Sequence, residues 1–154
     1  MHRLSGGPGD IAMLNDPYAG GTHLPDFILL RPVLVAGQVQ ALLACVLHHQ
    51  DVGGISPGSV PTDATSIHQE GLRIPPVQLY LQGRCDTALL GLLCANSRMP
   101  GNLTGDLAAQ WSALAQGRQA MAALLAKCGA HFGRQAQSLL SASEAATRAA
   151  LSAA

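Results

Sequence analysis

The chain has 154 residues, 48% hydrophobic and 12% charged, which suits one domain with a real core and excludes disorder driven by charge. Its nine basic and nine acidic residues cancel, so no basic surface for nucleic acid is expected. Only 3% of the residues are aromatic, leaving aliphatic side chains and alanine to fill the interior.

The opening MHRLSGGPGD has no apolar stretch behind Arg3, so it does not read as a signal peptide. Ile11–Leu14 follows the Pro8-Gly9-Asp10 turn signal and reads as a short strand. Two apolar segments rich in Val, Ile and Leu come next, Phe27–Ala36 and Val39–Leu47. A tight turn at Gly37-Gln38 would make them an antiparallel hairpin. Pro32 implies that the first of them is an edge strand or a bulged one, because proline has no N–H for the ladder. Val77–Leu81 reads as a further strand, ended by Gln82-Gly83.

From about Thr104 the spacing turns helical. Leu107, Trp111, Leu114, Met121 and Leu125 form an apolar stripe, Asn102 or Thr104 could cap its start, and Gly129 could stop it. A second, alanine-rich helix is expected from about Gly133 to Leu151, with Leu139, Leu140 and Leu151 inward. The fold class expected is therefore α+β. A glycine- and proline-rich antiparallel β half (residues 1–100) with a metal-binding hairpin precedes a pair of long C-terminal helices (residues 101–154), within a single partial domain. No apolar run approaches the roughly 18 residues of a membrane span, so no membrane association is expected. The four cysteines include no Cys-x-x-Cys pair, which points to unpaired thiols and a cytoplasmic setting.

Charge is unevenly distributed. Residues 1–73 carry six acids (Asp10, Asp16, Asp26, Asp51, Asp63, Glu70) against Arg3, Arg31 and Arg73, and the remainder reverses the excess. Four of the six histidines, His23, His48, His49 and His68, lie in the acidic part. Two segments concentrate this chemistry: NDPYAGGTHLPD at 15–26 and HHQDVGGISPGS at 48–59. Each joins His and Asp to a Gly-Gly pair and a proline. Such loops are costly to order and bury little apolar surface, so their conformation should serve something other than the core.

The hairpin supplies geometry for a site. Asp26 begins its first strand and His48 ends its second, so antiparallel pairing brings both to one end, about 5 Å apart. His23 lies three residues before Asp26, and His49 and Asp51 just beyond His48. Clustered carboxylates with few bases repel one another unless a proton or a cation intervenes. Imidazole with carboxylate suits zinc, iron or manganese. The alternative is a hydrogen-bonded polar loop without metal. Register decides the detail: a two-residue turn at Gly37-Gln38 sets Asp26 opposite His49, and a three-residue loop sets it opposite His48. His2, His68 and His131 read as surface or core histidines. No G-x-x-x-x-G-K-[ST] loop is present and Lys127 is the sole lysine, so ATP chemistry is not expected of this chain alone.

These two segments, followed by EGLRIPPVQLY at 70–80 and GDLAAQ at 105–110, resemble the signature blocks of the hydantoinase B/oxoprolinase family. The resemblance implies the B-type subunit of an enzyme that hydrolyses a cyclic amide of the hydantoin or 5-oxoproline type. It also implies a hetero-oligomer with a hydantoinase A-type ATPase subunit that supplies ATP and Mg. An acetone or acetophenone carboxylase-like subunit, or an inactive truncated assembly module, is the alternative. Carried onto this sequence, the family's metal ligands are His23, Asp26 and His48, for Mn, Zn or Fe. Asp51 and His49 then become the acid–base candidates, while Asp16, Gly53 and Gly54 would support the ligands or face a small-molecule substrate. Family chains extend further at both ends, which suggests a fragment.

Overall fold

The structure is a computed structural model that describes residues 6–153; His2 falls outside them. Its centre is one antiparallel sheet of β1 (Ile11–Leu14), β2 (Asp26–Val35), β3 (Gln38–His48), β4 (Val77–Leu81) and β5 (Arg84–Cys85). The spatial order is β3-β2-β1-β4-β5. The helices are α1 (Thr87–Asn96), α2 (Pro100–Cys128) and α3 (Phe132–Ser152). Two compact units divide the chain, one ending at Gln119 and the other starting at Ala120. The fold is thus α+β, with the antiparallel half first and long helices last.

β1 and β4 occupy the positions expected from their apolar patterns, and the hairpin exists with a different turn. Ala36 (φ 49°) and Gly37 (φ 77°) are its two central residues, and Val35 faces Gln38. A two-residue turn with both φ values positive matches the right-handed twist of the strands. On its own that turn would set Asp26 opposite Leu47. The register shifts between Val33 and Leu34, however, and Val33 faces Ala41 while Leu34 faces Val39. Gln40 is the extra residue of a bulge, and it moves Asp26 opposite His48. Of the two registers left open by the sequence, this combination of turn and bulge gives the pairing that a three-residue loop would have given.

Pro32 sits in an internal strand, not at an edge, because β2 pairs with both β3 and β1. β1 pairs only as far as Leu30, so Pro32 lies on the stretch where β2 keeps a single partner, beside the bulge. The missing N–H is tolerated there.

Alternation along the hairpin separates its two faces. Phe27, Leu29 and Val33 are buried, with Leu43 and Cys45 packed against the same core. Leu42 and Val46 point the other way and are exposed. The core is closed by Leu93 of α1 and by Leu103, Leu107 and Leu114 of α2. α1 is an element the sequence reading did not anticipate: its start is set by Asp86, whose side chain accepts hydrogen bonds from the Ala88 and Leu89 N–H groups. α2 begins at Pro100 rather than near Thr104, with proline in the first turn, where its missing N–H costs nothing. Trp111, expected in the stripe, is 41% exposed. In α3 no residue is buried, and Leu139, Leu140 and Leu151 are all exposed; the inward stripe expected there is not formed. Among the described residues no helix is long and apolar enough to cross a membrane, and the four cysteines are unpaired.

Candidate functional site

Asp26 and His48 meet at the open end of the hairpin. The His48 Nδ1 stands 2.7 Å from Asp26 Oδ1. A carboxylate oxygen accepts, so Nδ1 carries the proton and Nε2 keeps its lone pair. The Asp26 side chain is 17% exposed and that of His48 57%, so the pair is reachable from outside while its carboxylate is largely enclosed. Strand alternation puts both on the face that also bears Leu42 and Val46. The pairing continues one step beyond the strand: the His49 N–H donates to the Pro25 carbonyl at 2.8 Å.

His49 points to the opposite face and is fully buried. Its ring lies 4.3 Å from that of Phe27. Nε2 meets Gln110 Oε1 at 3.1 Å, and Nδ1 lies 3.9 Å from Asp106 Oδ2 without a hydrogen bond. Burial pushes this imidazole below its ordinary pKa, which the Gln110 hydrogen bond and the Asp106 charge oppose without cancelling. The Gln110 amide N–H groups donate to the carbonyls of Phe27 (2.8 Å) and Cys45 (3.2 Å).

His23 is exposed in the loop before β2. Its carbonyl accepts from the Asp26 N–H at 3.0 Å, so this loop turns tightly into the strand. Asn15 anchors the same loop: its amide donates to the carbonyls of Leu24 and Leu72, and its Oδ1 accepts from the Ile74 N–H. Asp16 caps a short turn through the Tyr18 N–H and lies 3.6 Å from the Arg73 guanidinium.

Asp51 is committed to its own loop. Its carboxylate accepts from the N–H groups of Gly53, Gly58 and Arg98 and from Arg98 Nη1, at 3.1, 3.0, 3.0 and 2.9 Å. Burial alone would raise its pKa, but these donors outweigh it and hold the group at about 2. A carboxylate so saturated is a weak proton acceptor near neutrality. Arg98 also donates to the carbonyls of Gly53, Gly54 and Ser56. Both glycines adopt positive φ. A Cβ on Gly53 would meet the Asn96 carbonyl oxygen at 2.8 Å, and one on Gly54 the Gln69 carbonyl oxygen at 2.5 Å. Their conformation therefore follows from loop packing.

The metal expectation can be weighed against this geometry. The Asp26 Oδ1 and His48 Nδ1 atoms, at 2.7 Å, are joined by a hydrogen bond, so the donors this pair leaves for a cation are His48 Nε2 and the second Asp26 oxygen. Among the described residues no group of three His, Cys, Asp or Glu side chains closes on one point, so His23 as placed does not complete the set. His68 and His131 are exposed and belong to no such group.

Sequence reasoning missed Gln110, Arg98 and Asn15. Gln110 had a readable signal: it occupies the buried stripe of Leu103, Leu107 and Leu114, where an apolar residue is the norm. Arg98 and Asn15 act through backbone carbonyls distant in the chain and left no comparable mark.

The hydantoinase B/oxoprolinase family profile matches residues 1–154. The caprolactamase subunit beta of Pseudomonas jessenii is 37% identical over 79% of this chain. The 5-oxoprolinase of Dictyostelium discoideum is 35% identical over 76% of it. The chain spans 21% of the first relative's length and 9% of the second's. The crystal structure of the ATP-dependent caprolactamase from Pseudomonas jessenii superposes with a TM-score of 0.78 at 36% identity, covering 84% of this chain and 22% of that one. The nucleotide-free acetone carboxylase structure gives 0.77 at 20% identity over 82% of this chain and 16% of that one, a likeness of fold.

Proposed function

The chain belongs to the hydantoinase B/oxoprolinase family, and on that premise we propose that it is the metal-holding portion of a B-type subunit in an ATP-dependent cyclic amide hydrolase. The observation that carries this reading is the Asp26–His48 pair, a carboxylate and an imidazole joined at 2.7 Å by the hairpin register, with the imidazole's Nε2 left as a donor. These two would hold a divalent Mn, Zn or Fe ion, and His23, exposed in the loop before β2, would join as third ligand only by a movement of that loop. When bound, the ion would supply Lewis-acid polarisation of an amide carbonyl.

The chain's own residues have separable tasks. Asp26 orients the His48 ring and keeps its Nε2 lone pair outward, as carboxylates do for metal-binding histidines. His49 is assigned support behind the pair rather than proton transfer, because it is fully buried on the opposite face and its Nδ1, 3.9 Å from Asp106, makes no hydrogen bond. Asp51 is assigned to the loop it holds, because its basicity is too low for proton transfer. Asp16 supports the loop that carries His23, while Gly53 and Gly54 allow the close packing of the 49–59 loop.

ATP chemistry falls, in this proposal, to an A-type partner in a cytoplasmic hetero-oligomer. The relative named as a subunit beta supports a multi-subunit assembly, and Lys127, the single lysine, stands in no phosphate-binding loop. Hydrolysis is favoured over carboxylation by the 36% identity to the caprolactamase structure.

Elemental analysis of the purified chain after incubation with Mn, Zn or Fe(II) tests the reading. One equivalent of metal is expected, lost when His23, Asp26 and His48 are replaced by alanine. A folded wild-type chain that retains no metal would favour an assembly module instead.

A further inference from the structure

We infer that Gln110 is the positioning residue of the Asp26–His48 pair, holding the two strand ends through the residues that follow each member. This rests on the pair being the working site. The geometry is specific. Asp26 is followed by Phe27 and His48 by His49. Gln110 donates to the Phe27 carbonyl on β2 at 2.8 Å and to the Cys45 carbonyl on β3 at 3.2 Å. It accepts from His49 Nε2 at 3.1 Å. One amide on α2 thus joins both strands of the hairpin within a few residues of the pair.

Glutamine offers two N–H donors and one carbonyl acceptor, and each group has a partner here. The side chain is 1% exposed. Burying an amide among leucines is unfavourable unless its hydrogen bonds are made, and an aliphatic residue would fill the same stripe without that demand. Glutamine at this position therefore trades apolar packing for a fixed relation among three groups.

Two consequences reach the pair. Because the Gln110 carbonyl can only accept, His49 carries its proton on Nε2, and Nδ1 becomes a lone pair facing Asp106. Because Phe27 and Cys45 are tied to the same amide, β2 and β3 cannot slide or splay at the end where Asp26 faces His48. Register at that end selects which imidazole meets Asp26: a slip of one residue would offer it Leu47 or His49. α2 thereby acts as a splint across the open end of the hairpin, opposite the face that carries the pair.

Glutamine-to-methionine and glutamine-to-glutamate variants separate positioning from bulk stability. Q110M removes every hydrogen bond and keeps the volume. Q110E keeps the acceptor for His49 and removes both donors to the strands. The readout is the His48 Nδ1–H resonance in 15N-histidine-labelled chain, with its solvent exchange rate, under conditions where circular dichroism shows each variant folded. Zinc affinity by calorimetry is measured on the same samples. Both variants should speed Nδ1–H exchange about tenfold or more and weaken zinc roughly tenfold, the range typical of residues that orient a ligand. The H49F/Q110M double variant, which replaces both buried partners with apolar groups, should recover thermal stability while the Nδ1–H exchange stays fast. An unchanged Nδ1–H in folded Q110M and Q110E, or its recovery together with stability in the double variant, would overturn the positioning role. If the wild type binds no zinc while the Nδ1–H still responds to Q110M, the metal reading fails and the positioning role stands.

Discussion

Replacing Asp51 with asparagine isolates the charge that organises the 49–59 loop. The carboxylate accepts four hydrogen bonds, two of them from Arg98, and is held at about 2 against an ordinary value of 3.8. A folded-state pKa below the unfolded one means that the unfolded chain binds the proton more tightly. The stabilisation is therefore complete above the unfolded value and is lost as pH falls from about 4 through about 2. Nearly two pKa units at ~1.4 kcal/mol each correspond to about 2 kcal/mol. Urea denaturation of wild type and D51N across the acid range is the assay. Other titrating groups cancel in the difference, so the stability gap at pH 7 should shrink by about 2 kcal/mol near pH 2. A gap that stays constant from pH 7 to pH 2 would refute the reasoning, since the native state would then hold no preference for the ionised carboxylate.

Three further outcomes follow from the packing. G54A should cost well over ~1 kcal/mol, the usual penalty of a left-handed alanine, because its Cβ meets the Gln69 carbonyl oxygen. G37A, with open space around its turn position, should cost only that penalty; equal losses in denaturant titrations would contradict the assigned crowding. L107A should destabilise by about 2–5 kcal/mol, because Leu107 is buried in the core cluster. W111A, on the exposed side of the same helix, should have a much smaller effect by the same assay.

The legible part of this fold was its local part. Alternating or continuous apolar runs located β1, β2, β3 and β4, and the change to helical spacing located α2 and α3, because each element must bury a face with its own period. α1 escaped because TALLGLLCAN is apolar nearly all round and presents no one-sided stripe. The Asp26–His48 pairing was legible as one of two registers. What decided it was a bulge at Gln40, which no residue type announces. The role of Asp51 was not legible either. Its partner Arg98 lies 47 residues away, and only tertiary packing turns a candidate base into a saturated anchor. The inward placement of Leu139 and Leu140 was read from helix periodicity, yet a periodic stripe guarantees a buried face only where something covers it.

Manganese relaxation enhancement tests the central claim most directly. In the 15N-histidine-labelled chain, substoichiometric Mn²⁺ should broaden the His48 ring resonances first, then those of His23, and D26N should abolish the effect. Broadening centred on His68 or His131, or none that depends on Asp26, would contradict a cation site at the hairpin's end.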